Sequence, residues 1–333
     1  MAMIVTEELI SIVAQPLLLF VFSILIWSLQ SFFITGISRR FIFPSFYRNS
    51  VTTYLVAQLS IILHEASHFL SAIFTGSSII GEETFVTPTH GRVTAASEDS
   101  VFGWFSRLIA ALAPSFIPPI LFLIVFFLVS GQMPQLITTF TYPQTLTAFQ
   151  NSLSMKFSEV LVPDLILFIN SITDFTNPMT FLFIYLLIIC SIAAGPSEGD
   201  WNSTFQLFIS PIPIVTLLAL FLFFNFAFSQ LNISFVIPLI LLVLFVFAVV
   251  AIGVFFSFLF AQLILIGYKR IGFALGIAAM FFALYYLTYY FVQSPTVSFF
   301  IALLPSMALG FMIKSDMLKS ANAGRNSRAR KAF

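Results

Sequence analysis

Residues 233–267 run without a single charged side chain. As a helix that stretch would be roughly 52 Å long and apolar all round. A run that long and that apolar belongs in a bilayer. Seven further runs come close to or exceed the ~20 apolar residues that cross a hydrocarbon core of ~30 Å. They are 9–35, 51–75, 105–131, 179–196, 210–229, 271–293 and 296–313. Charged residues make up 8% of the chain, against about 25% in soluble domains. The sequence therefore predicts an all-α polytopic membrane protein of about eight transmembrane helices, integral and multi-pass, with the lipid bilayer as its first partner. The 233–267 run must tilt strongly or break near Gly253. A formal net charge of +1 gives no electrostatic case for nucleic acid.

The opening "MAMIVTEELISIVAQ" has neither the basic n-region nor the small-residue cleavage site of a secretory signal, so 9–35 reads as a retained first helix. Residues 76–104 are rich in Gly, Ser, Thr and β-branched types, which predicts a short β-rich loop. Residues 132–178 begin polar and Pro-interrupted, then turn apolar from Glu159 to Phe175, as an interfacial or re-entrant helix would. Six basic residues, from Lys314 to Lys331, crowd the end of the chain and predict a mobile cytosolic tail. With eight spans, the N-terminus and the 76–104 loop fall on the same side. Four regions follow: 1–50, the first helix and its connection; 51–209, the region holding the motif described next; 210–313, C-terminal helices; and 314–333, the tail.

Within the 51–75 run stands "LHEASHFL". Two of the chain's three histidines lie there, His64 and His68, with Glu65 between them. Four residues apart on a helix, the two imidazoles share a face one turn from each other. That is the HExxH pattern, in which both histidines ligate one zinc ion and the glutamate reaches an activated water as general base. A charge at mid-span costs about 2.5–3.5 kcal/mol, so three ionisable groups on one membrane helix imply a use. The single cysteine, Cys190, excludes both a disulfide framework and a Cys-rich zinc site.

A catalytic zinc needs a third protein ligand. His90, in "PTHGRV", reads as an exposed turn residue. Glu82 and Glu83 lie in the loop just past the motif. Asp164 and Asp174 belong to the segment expected to face outside. The remaining stretch is "AAGPSEGDW", where Gly195-Pro196 should stop the fourth helix and bend the backbone toward the second. Asp200 would arrive there, with Glu198 its nearest competitor.

"HEASHFLSAIFTG" resembles the motif helix of the site-2-protease family of intramembrane zinc metalloproteases. "GRVTAASEDSVFGWFSRLIAALAP" resembles the stretch leading into that family's next helix. The resemblance covers roughly residues 50–205. It implies one zinc per chain, His64, His68 and Asp200 as ligands, Glu65 as catalytic base, a site near the cytosolic face, and a transmembrane protein as substrate. The family commonly sets its aspartate in Asn-Pro-Asp-Gly or Leu-Asp-Gly; here the context is Glu-Gly-Asp-Trp.

Two other functions compete with an intramembrane endopeptidase. A metal-ion transporter would spread polar ligands over several helices at mid-membrane, yet the last four spans hold no histidine. A catalytically inactive membrane scaffold with a zinc site would have no need of Glu65. Elsewhere, "LYYLTYYF" (284–291) reads as an interfacial aromatic girdle, and Gly267, Gly272, Gly276 and Gly310 as helix-packing positions.

Overall fold

The helix that carries HExxH is amphipathic the wrong way round for water. In α1, Leu59–Phe74, the buried side chains include Ser60, His64, Glu65, Ser67 and Ser71, while Ile62, Phe69, Leu70, Ile73 and Phe74 are exposed. Phe74 is 84% exposed. A polar interior and an apolar exterior suit a helix whose outer solvent is hydrocarbon. The serines are satisfied within the helix, Ser60 donating to Val56 O and Ser67 to Leu63 O, each at 2.8 Å.

The computed structural model describes residues 34–80 except 49, then 85–87, 91–96, 100–132, 157–200 except 198, and 236–330. Isolated positions between 25 and 32 and between 202 and 223 are also described. Most of the candidate spans 9–35 and 210–229 lies outside the described residues. Among the described residues, four helices are long and apolar enough to cross a membrane. They belong to α2 (Val101–Ser130), α5 (Val236–Lys269), α6 (Ile271–Val292) and α7 (Pro295–Arg330). The motif segment is a six-residue π-helical stretch, Thr53–Gln58, followed by the 16 residues of α1. The apolar end of 132–178 forms a short helix, α3 (Val162–Thr173), and the fourth candidate span forms α4 (Met179–Ala193).

Helix ends follow the local chemistry. Ser100 caps α2 by accepting the Gly103 N–H, and Gly131 closes it at φ 67°, a left-handed conformation open to glycine. Pro114, Pro118 and Pro119 all sit inside α2, as membrane helices tolerate where neighbours take up the freed carbonyls. The loop after α1 contains four two-residue strands, Ser78–Ile79 against Ala95–Ala96 and Phe85–Val86 against Gly91–Arg92, both antiparallel.

α1 lies between α2 and α4. Below it, Phe126 meets Phe168 of α3 at 5.1 Å and Phe183 of α4 at 4.9 Å, both edge to face, pairs worth about 0.5–1.5 kcal/mol each beyond burial. One sequence reading narrows here and two change. Gly253 does not break α5; a Cβ there would overlap the Ser191 hydroxyl, so the glycine lets α5 close on α4. Gly272 and Gly276 meet nothing within 4 Å, so among the described residues they pack no helix. Tyr285 is fully buried rather than part of a girdle, and its hydroxyl accepts the Phe175 N–H while Tyr286 donates to Phe175 O. The last helix also continues to Arg330. At roughly 54 Å it exceeds a ~30 Å core, so its basic end projects beyond the hydrocarbon.

Candidate metal centre

His64 and His68 point from α1 toward a third group that arrives from beyond α4. His64 Nε2 lies 3.2 Å from Asp200 Oδ2, His68 Nε2 lies 3.1 Å from Asp200 Oδ1, and the two Nε2 atoms are 3.3 Å apart. His64 and Asp200 are buried and His68 nearly so. Together the three groups could hold a metal ion.

The outer nitrogens decide what the inner ones can do. His64 Nδ1 donates to Ala193 O at 2.9 Å, and His68 Nδ1 donates to Ala110 O at 2.8 Å. A carbonyl only accepts, so each Nδ1 carries the proton, and each neutral ring then presents a bare lone pair at Nε2. Two such lone pairs and a carboxylate converge with no donor among them. Three acceptors within 3.3 Å of one another repel unless a cation sits between them, either a metal ion or a second proton on a ring. Ligating histidines are commonly held in this way, the other ring N–H bonded to a main-chain carbonyl.

Asp200 is aimed by its own turn. α4 ends at Ala193, and Pro196 cannot extend its ladder. Ser197 N–H donates to Asp200 Oδ2 at 2.7 Å, and Asp200 N–H donates to Ser197 Oγ at 3.1 Å. This is a reciprocal capping box, S-x-x-D. It fixes the carboxylate toward α1 and occupies the N–H that would otherwise have reached Ala193 O. Thr35 Oγ1 donates to Pro196 O, which ties the turn to the N-terminal helical segment.

Glu65, buried on the same helix, has the Val93 N–H facing its carboxylate. Gly91 lies directly over it: a Cβ at Gly91 would stand 2.5 Å from Glu65 Cγ and 2.9 Å from Glu65 Oε1. The strand Gly91–Arg92 can therefore approach the carboxylate only because residue 91 has no side chain. Comparison with known protein families, with characterised proteins and with solved structures returns no match. Whatever this centre does has to be read from its own atoms.

Of the residues singled out from sequence, His64, His68 and Asp200 come together and Glu65 stands beside them. Glu198, His90, Glu82 and Glu83 lie outside the described residues. Asp164 lies in α3, and Asp174 shares a polar cavity with Ser130 and Gln132 at the far end of α2. Gly91, Val93, Ser197 and the two carbonyls were missed. For Ser197 a signal existed, because S-x-x-D before an aromatic residue is a capping pattern.

Proposed function

We propose that this protein is an intramembrane zinc endopeptidase of the site-2-protease type, hydrolysing peptide bonds of membrane-embedded proteins. The observation that carries the reading is the convergence of His64 Nε2, His68 Nε2 and Asp200 with Glu65 alongside, on helices of membrane character. Zinc fits the donor set. Two ligand atoms about 2.05 Å from a tetrahedral zinc lie about 3.3 Å apart, and the three separations are 3.1, 3.2 and 3.3 Å. Two neutral imidazoles and a carboxylate also leave the fourth position open, as catalytic sites require. Bound there, zinc would supply Lewis acidity, lowering the pKa of a water from 15.7 to about 7 and polarising a carbonyl.

The chain's own residues account for the proton path. Glu65 takes a proton from the attacking water at a carboxylate oxygen and later delivers it to the leaving amine. The Val93 N–H faces that carboxylate, and the Gly91–Arg92 strand packs directly against it. Sidedness has support as well. α4 sets out from Met179, and Ala193 lies roughly 21 Å further along its axis. α7 sets out from the same level, where Thr296 Oγ1 meets Asn170 Oδ1 and Thr173 Oγ1. That shared starting level supports a metal cluster and a basic α7 end on one side, and the positive-inside rule favours the cytosol for that side.

The test is zinc content by mass spectrometry on detergent-purified protein, beside cleavage of a co-reconstituted single-span substrate. Wild type should hold one zinc per chain. Glu65→Gln should keep the zinc and lose cleavage, whereas His68→Ala and Asp200→Ala should lose both. Wild-type protein that takes up no zinc, or Glu65→Gln that still cleaves, would end the proposal.

A further inference from the structure

An α-helical carbonyl is normally occupied by the N–H four residues later. For Ala110 that residue is Pro114, which has no N–H to give. Ala110 O is thus left without its ladder partner inside an apolar helix, and His68 Nδ1 donates to it at 2.8 Å. His64 is held by the same kind of vacancy. Its acceptor, Ala193 O, ends α4, and the N–H four residues on belongs to Ser197, which is engaged by Asp200. Each ring of the pair therefore hangs on a carbonyl that a neighbouring helix has released. At α2 a single residue does the releasing.

We infer that Pro114 is a positioning residue for the metal centre, keeping Ala110 O free so that His68 presents Nε2 to the ion. The inference rests on the metal reading of the cluster, but it makes a claim about His68 that holds in the metal-free protein too. Restoring a peptide N–H at 114 returns Ala110 O to the helix ladder, where the N–H competes with the imidazole for that carbonyl and draws it toward the helix axis. Pro118 is the internal control. Its missing N–H frees the carbonyl of Pro114, which neither His64 nor His68 uses, so Pro118→Ala repeats the chemical change on the same helix without touching the ligand.

The experiment uses the full chain, ¹⁵N-labelled at histidine, as wild type, Pro114→Ala and Pro118→Ala. Two readouts are taken: the zinc dissociation constant by competition with a chelating dye, and the His68 Nδ1 proton by NMR. The second is recorded on metal-free protein. Wild type should show a downfield, exchange-protected Nδ1 proton on His68. Pro114→Ala should lose that protection on His68 while His64 keeps it, and its zinc dissociation constant should rise 10–100-fold, the usual effect of losing such a support. Pro118→Ala should match wild type in both. Protection and affinity unchanged in Pro114→Ala would overturn the inference, as would equal weakening by Pro118→Ala. Wild type alone can also overturn it, without any variant having to fold, if its His68 proton exchanges freely. A wild type that binds no zinc but shows the protected proton refutes the metal reading and leaves the positioning bond standing.

Discussion

Gly91→Ala should separate metal binding from proton transfer at this centre. The added Cβ would stand 2.5 Å from Glu65 Cγ, 2.8 Å from Ile61 Cγ2 and 2.9 Å from Glu65 Oε1. Carbon atoms rest about 3.5–4.0 Å apart, so strand and carboxylate must move apart by about 1 Å. Ile61 is on the same helix and branched at Cβ, so it yields little, and the displacement falls on the Glu65 side chain or the strand. Misplacing a catalytic group by about 1 Å costs on the order of 100-fold in rate, and overpacking costs about 1–3 kcal/mol of stability. The three atoms nearest that methyl belong to Glu65 and Ile61, none of them to the ligands His64, His68 and Asp200. The expected result is therefore wild-type zinc content with cleavage reduced about 100-fold, followed in proteoliposomes carrying a single-span substrate whose product is quantified on gels. Cleavage at the wild-type rate would refute the argument that this strand sets the position of the base.

Two further perturbations address the frame around the site. Ser197→Ala removes one half of the capping box, which should cost about 1 kcal/mol of local stability and raise the zinc dissociation constant by about 10-fold as Asp200 loses its aim; competition titration measures it. Tyr285→Phe removes one of the two acceptors of the Phe175 N–H, which also donates to Thr173 O, at a fully buried position, and should cost about 0.5–1.5 kcal/mol in thermal unfolding. Tyr286→Phe, at a half-exposed residue that serves only the Phe175 carbonyl, should cost less.

Much of the centre was legible in the sequence because its parts are local. Four-residue spacing puts His64 and His68 on one face whatever the tertiary structure. Gly195-Pro196 marks where α4 must stop, and so where Asp200 can turn inward. What escaped depends on which surfaces meet. Gly91 reads as one more loop glycine until the strand is seen lying on Glu65. Gly253, Gly272 and Gly276 have equally apolar surroundings in the sequence, yet only Gly253 faces another helix closely. Tyr285 and Tyr286 are neighbours in one aromatic run, but successive helical residues point about 100° apart, and only the contact with Phe175 decides which is inside. The number of spans was read from apolar length alone. That measure cannot tell a long crossing helix from the segment that carries the motif, where a π-helical stretch precedes 16 α-helical residues.

The suspension of the two imidazoles from other helices has a consequence for how the protein is made. His64 is held by a carbonyl 129 residues later in the chain, and His68 by one 42 residues later. When α1 leaves the ribosome its histidines have neither fixed tautomers nor the carboxylate of Asp200, so the nascent helix has little grip on a metal ion. The grip develops only after α2 and α4 have been inserted and packed. Assembly of the candidate metal centre thereby becomes a late event of biogenesis, completed only when segments far apart in the chain have packed together.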